Sequence, residues 1–182
     1  MTAEQQKKIN DNTIHNLQSD NTELVTETIE QLSETGNSAY LPFLFELLHS
    51  TNNKEIKRRI ARLLAELKHS DAIPLIIEAI RNKTYDQELQ YLVSACWENG
   101  MDYIEYLSLF VDLMIEHEFI VALEAHTVIT NMTGKIAMVT CEQEIKKIEE
   151  ALPSASEDKR EMLLEVIDFL KILEQGIEPQ NY

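Results

Sequence analysis

The sequence predicts an all-α protein, a solenoid of two-helix units stacked side by side, and three observations predict it. The segment Tyr40-Leu41-Pro42-Phe43-Leu44 returns as Ala72-Ile73-Pro74-Leu75-Ile76, and then without proline as Tyr103-Ile104-Glu105-Tyr106-Leu107. The separation of about 32 residues is one at which helical hairpins repeat. Between these openings apolar residues recur at helical spacing, first as Ile56, Ile60, Leu63, Leu64 and Leu67, then as Leu89, Val93, Cys96 and Trp97. All four glycines, Gly36, Gly100, Gly134 and Gly176, fall just past the end of a helix that closes a unit, where a left-handed residue ends the last turn.

Taken in order, a weak helix near Ala3 to Leu17 opens the chain, and Thr22 to Thr35 reads as the second helix of a unit whose first helix is poorly formed. Complete hairpins follow at about 39–68, 71–99, 101–132 and 140–173. Pro42 and Pro74 open helices, because a first-turn residue has no intrahelical partner for its N–H. Thr140 with Gln143 and Ser154 with Glu157 read as capping boxes for the last two helices. The domain expectation is an N-terminal extension over 1–20, a single repeat domain over 21–174 and a frayed tail over 175–182.

The alternation of helices, the Ile-Pro or Leu-Pro opening and the run from Ala65 to Pro74 resemble HEAT repeats of the short kind common in bacterial proteins. The likeness is close over 54–80, fair over 22–132 and degenerate from 140 onward. The family's Val-Arg pair near the start of the second helix appears once, as Ile56-Lys57, and is absent at Leu89-Gln90 and Val121-Ala122. The resemblance implies a right-handed α-α superhelix whose second helices line a concave face. It implies a scaffold or adaptor that binds another protein or peptide there. The same resemblance also covers enzymes, including metal-dependent hydroxylases, lyases and DNA-repair glycosylases, and structural subunits whose groove is filled by their own termini.

Composition bounds the function. A chain 44% hydrophobic and 26% charged has the balance of a soluble globular protein. A net charge of -16 repels phosphate backbones and disfavours nucleic acid as a partner. Lys and Arg are absent between Ile9 and Asn53 and between Thr84 and Gly134, whereas Lys54 to Lys83 holds eight basic residues against four acidic ones. The longest apolar stretch, Met101 to Ile115, carries Asp102, Glu105 and Asp112 and is too short to span a membrane. Two cysteines, Cys96 and Cys141, and no export signal point to a reducing, cytoplasmic setting.

No motif for chemistry emerges. Four scattered glycines cannot build a phosphate-cradling loop, and no Gly-x-Ser-x-Gly elbow is present. The dipeptide His117-Glu118 resembles the iron-holding pairs of HEAT-like hydroxylases, but these use several such pairs and this chain has one. Val121 stands where a zincin would need its second histidine. His49, His69 and His117 read as helix C-terminal residues facing free carbonyls. The expectation is a protein without enzymatic activity, cofactor or metal.

The candidate binding residues come from the helical wheel of the second helices. At about 100° per residue, Arg58 and Arg62 lie opposite the apolar stripe of their helix, and Tyr91 and Leu123 occupy the equivalent places in the next two. The stripe Val121, Ala125, Val128, Ile129 and Met132 leaves Phe119 and Leu123 without an internal partner. Two readings of the basic helix remain open: a site for an acidic ligand, or a ladder of ion pairs in which Glu23 meets Lys54 and Glu27 meets Arg58. The helix 101–115, apolar except for Glu105, Ser108 and Asp112, is covered either within its own domain or by a second subunit in a homodimer.

Overall fold

The computed structural model describes residues 9–174; part of the expected first helix, Gly176 and the tail lie outside the described residues. Among the described residues all regular structure is helical, and no helix is long and apolar enough to cross a membrane. The chain divides into two compact units, Met1–Met101 and Asp102–Tyr182.

The first unit contains α1 (Asp11–Leu17), α2 (Thr22–Thr35), α3 (Leu41–Ser50), α4 (Lys54–Ala65), α5 (Ile73–Arg81) and α6 (Leu89–Glu98). Helices α2, α4 and α6 lie side by side in one layer, α3 and α5 pack as the other, and α1 rests on α2 and α3. This is repeat stacking: each hairpin buries its apolar stripe against the next. Val25, Ile29, Leu44, Leu48, Ile60, Leu64, Ile76 and Leu92 fill the space between the layers.

Local chemistry repeats with the fold. Asn21 and Asn53 cap α2 and α4 in the same way, each side-chain oxygen accepting from two backbone N–H groups of the first turn, which satisfies donors with no intrahelical partner. Helices α3 and α5 each emerge from a 3-10 turn, Ser38–Tyr40 and Ser70–Ala72, with Pro42 or Pro74 in the first helical turn. The equivalent turns are tied together, since Ser38 Oγ donates to Asp71 Oδ2 at 2.7 Å. Gly36 closes α2 with φ 57°, and its N–H donates to the Leu32 carbonyl, a backbone conformation that costs little only for glycine.

The second unit contains α7 (Leu107–Glu116), α8 (Phe119–Thr130), α9 (Met138–Ala151) and α10 (Glu157–Glu174). Here α7 packs on α8 and α9, and α10 packs on α8 and α9. Phe110, Met114, Ala125, Ile129, Cys141, Ile148, Val166 and Leu170 form its core. The covering of α7 is internal: Tyr103, Leu107, Phe110, Val111, Leu113 and Met114 are buried. Its polar strip faces α9, with Ser108 Oγ donating to Glu144 Oε1 at 2.6 Å and Lys147 Nζ 2.7 Å from Asp112 Oδ1.

Several expected details are corrected. The capping box at Thr140 does not form, because α9 begins at Met138 after Ala137, whose carbonyl accepts from the N–H groups of Thr140 and Cys141. Ser154 sits in a 3-10 turn, Leu152–Ser154, and its hydroxyl donates back to the Ala151 carbonyl at 3.0 Å, so α10 starts at Glu157 without it. The helix expected from Met101 begins only at Leu107, after the 3-10 turn Ile104–Tyr106. Trp97 is 39% exposed because the buried stripe of α6 centres on Leu92, Val93 and Cys96, leaving Trp97 at its edge. Val121 is half-buried, and Ala122 takes its expected place in the stripe of α8.

Candidate functional site

In the first unit a groove of about 530 Å³ runs between α2 and α4. Its apolar floor is Ile29 and Leu63, and its walls carry Glu30 and Glu34 from α2 and Arg58 and Arg62 from α4. The amphipathic pattern of α4 explains the placement: Ile56, Ile60, Leu63 and Leu64 turn into the core, which leaves Arg58 and Arg62 outermost with side chains 78% and 79% exposed.

The ion pairs differ from the expected ladder. The pair that spans the groove is Arg59 with Glu30; Arg58 pairs within its own helix to Glu55, and Arg62 Nε lies 2.9 Å from Glu66 Oε1. Arg59 rather than Arg58 therefore faces α2. Lys57 reaches the other way, its Nζ 3.1 Å from Glu88 Oε1 in the next repeat. Glu66 also accepts from Ser33 Oγ at 3.1 Å. The Arg59 hydrogen bond, opposed by burial and aided by both arginine charges, holds the Glu55 carboxyl below the usual carboxylate range. Arg62 and then Ser33 do the same for Glu66.

Tyr91 is half-buried on α6, the helix beside α4. Phe119 and Leu123 belong to the second unit, on the outward face of α8, 44% and 41% exposed, with Ile120 beside them at 50%. The structure therefore brings Arg58 and Arg62 into one groove and Phe119 and Leu123 into one patch.

The histidines have structural surroundings. His49 lies in the last turn of α3 with Nδ1 2.9 Å from Glu88 Oε2, and His126 Nε2 lies 2.9 Å from Glu165 Oε2. His117 ends α7, its carbonyl accepting from Lys159 Nζ at 2.9 Å, while Glu118 is exposed at the start of α8. Among the described residues, no three His, Cys, Asp or Glu side chains gather in a way that could hold a metal ion.

Three polar residues that matter to the structure escaped sequence reasoning. Glu88, 2% exposed, takes both Lys57 and His49. Glu144, 4% exposed, takes Ser108 and lies 2.8 Å from Lys147. Burial opposes the Lys147 charge, but its bonds to Asp112 and Glu144 outweigh this and hold it above the usual lysine value. Lys159 donates to the carbonyls of Ile115 and His117 at 2.7 and 2.9 Å, and burial lowers its pKa. For Lys159 a signal existed, since a cation at a helix C-terminus is favoured, but the helix and the lysine are far apart in sequence.

A search among curated proteins finds none that matches the chain. The family described as HEAT repeats matches residues 10–95, which takes in α1 to α5 and most of α6, the stacked layers and the groove between α2 and α4. By that match and by the repeated hairpins of α2 to α6, residues 10–95 of the chain are built of HEAT-like repeats.

Proposed function

We propose that this protein is a non-enzymatic adaptor that binds another protein or peptide through the outward face of its second helices. HEAT repeats are generally protein-interaction scaffolds and typically non-enzymatic, and the reading agrees with that. The observation that carries it is the exposure of residues the core does not use. Arg58 and Arg62 rim a groove with an apolar floor, and Phe119, Ile120 and Leu123 stand on α8 with 41–50% of their surface in solvent. Exposed apolar patches and arginines with few internal duties mark interaction surfaces more often than core. A net charge of -16 sets nucleic acid and anionic membranes aside as partners, and we place the protein in the cytoplasm.

The test is affinity capture with the full chain followed by mass spectrometry. Partners held by wild type are expected to be lost from Arg58→Glu/Arg62→Glu or from Phe119→Ser/Leu123→Ser. They should be retained by Glu105→Ala, which alters an exposed residue away from these faces. Identical partner sets for all variants would remove the proposed surface.

A further inference from the structure

We infer that the pocket between α3 and α5 receives an arginine side chain of another protein. The pocket belongs to the first helices of two consecutive repeats, so it is separate from the second-helix surface proposed above and stands or falls without it. It holds about 150 Å³, room for one planar group the size of a benzene ring. Pro42 and Phe45 of α3 line it, with Glu46 on the same helix face, and Leu75, Glu78 and Ala79 line it from α5. Both sets follow the i, i+3, i+4 spacing that puts side chains on one side of a helix. Tyr85, from the 3-10 turn Lys83–Glu88 that follows α5, supplies the remaining aromatic wall.

Rings and carboxylates together select the occupant. The Phe45 and Tyr85 rings stand 6.4 Å apart, inclined at 55°, and a cation is attracted to such ring faces. Pro42 and Leu75 are exposed and available to pack the methylene stem of a long side chain. Among the described residues the lining contains Glu78 and neither Lys nor Arg; Arg81 and Lys83, on either side of Asn82, lie outside it. Glu46 Oε2 is 3.5 Å from the Tyr85 hydroxyl. Burial first, then the Glu46 charge and hydrogen bond and the Glu88 charge, hold that hydroxyl above its ordinary pKa. Glu88 is already compensated by Lys57 and His49, whereas among the described residues neither Glu46 nor Glu78 is in an ion pair. An anion is repelled by these two carboxylates, and a neutral apolar group gains nothing from them. A guanidinium stacks on a ring and donates to a carboxylate at once. The acidity of the whole chain would attract a cation anywhere on its surface; the rings confine this one to α3 and α5.

The test titrates N-acetyl-arginine amide and its neutral isostere, N-acetyl-citrulline amide, into the full-length protein and follows backbone amide NMR shifts. The arginine probe is expected to move the amides of Phe45, Ala79 and Tyr85 saturably, and the citrulline probe to bind about tenfold more weakly. Glu46→Gln/Glu78→Gln should remove most of that preference. Tyr85→Leu should weaken the arginine probe about tenfold, whereas Tyr85→Phe, which keeps the ring, should retain it, with circular dichroism confirming that each variant is folded. Equal affinity for both probes would mean a fit to shape alone and would overturn the inference. Shifts that spread over other acidic surfaces and survive Tyr85→Leu would mean attraction to net charge and would overturn it too. So would the absence of a saturable shift at Phe45, Ala79 and Tyr85. None of these variants touches Arg58, Arg62, Phe119 or Leu123, so the capture experiment above still decides the adaptor reading on its own.

Discussion

Glu88 is a carboxylate with 2% of its surface in solvent, held between Lys57 Nζ at 3.1 Å and His49 Nδ1 at 2.9 Å. A buried charge removed from such a pair leaves its partner uncompensated, at a cost of about 3 kcal/mol, whereas replacing both partners by apolar groups is often neutral. Glu88→Ala is therefore expected to lower stability by roughly that amount in urea unfolding, reduced to the extent that Lys57, 21% exposed, reaches water. Glu88→Leu/Lys57→Met should recover most of it; a double variant as unstable as the single would show that the pair itself is needed. Nothing around Gln87-Glu88-Leu89 announced this role. A glutamate before an apolar run is ordinarily a solvated first-turn residue, and here burial is decided by side chains more than thirty positions away. Arg58 and Arg62 were legible because outward placement follows from the stripe of their own helix. Their partners Glu55 and Glu66 stand one turn away on the same segment, whereas the pairing of Arg59 with Glu30 across the groove depends on how two helices face each other, which a single wheel does not contain.

Helix ends set the next scale. Lys159 on α10 supplies the donors for the last carbonyls of α7 and its exit, so it joins two elements that the hairpin order separates. Lys159→Met keeps much of the apolar stem and removes both hydrogen bonds; we expect a loss of about 1–2 kcal/mol, read as a lower urea midpoint with an unchanged slope. No shift in midpoint would mean that water replaces the ammonium at no cost. The α4 carboxylates give a pH signature. Glu55 and Glu66 are held below their ordinary values by Arg59 and Arg62, so the folded state binds fewer protons than the unfolded one just below the carboxylate range. Their contribution is fully present above the unfolded value and fades as pH falls through the lowered folded values. Acid unfolding of Glu55→Gln/Glu66→Gln is expected to depend less on pH in that window, and an unchanged acid profile would remove these residues from the linkage. The second helix Thr22–Thr35 was readable to the residue, since Gly36 follows its end directly. The 3-10 turns before α3, α5 and α7 were absorbed into the helices, because a 3-10 turn carries the same local apolar spacing as the first turn of an α-helix.

For the whole molecule, repeat architecture makes a specific demand on how stability is distributed. In stacked hairpins each element contacts only its neighbours, so stability is a sum of local terms and openings can be confined to part of the chain. The repeat period and the charge blocks made the all-helical stacking legible, but the division after Met101 was not, because the apolar period runs on through Tyr103 and Leu107 with no linker composition to interrupt it. Leu64 in the first unit and Phe110 in the second are both fully buried. Leu64→Ala and Phe110→Ala should each cost about 2–5 kcal/mol through lost transfer energy and the cavity left behind. Amide hydrogen exchange on the full chain then distinguishes the physics. Leu64→Ala is expected to accelerate exchange first in α2, α4 and α6 while α8 and α10 keep their protection, and Phe110→Ala should do the reverse. Equal acceleration throughout the chain by either substitution would show that the two units open as one cooperative body and would exclude the nearest-neighbour description.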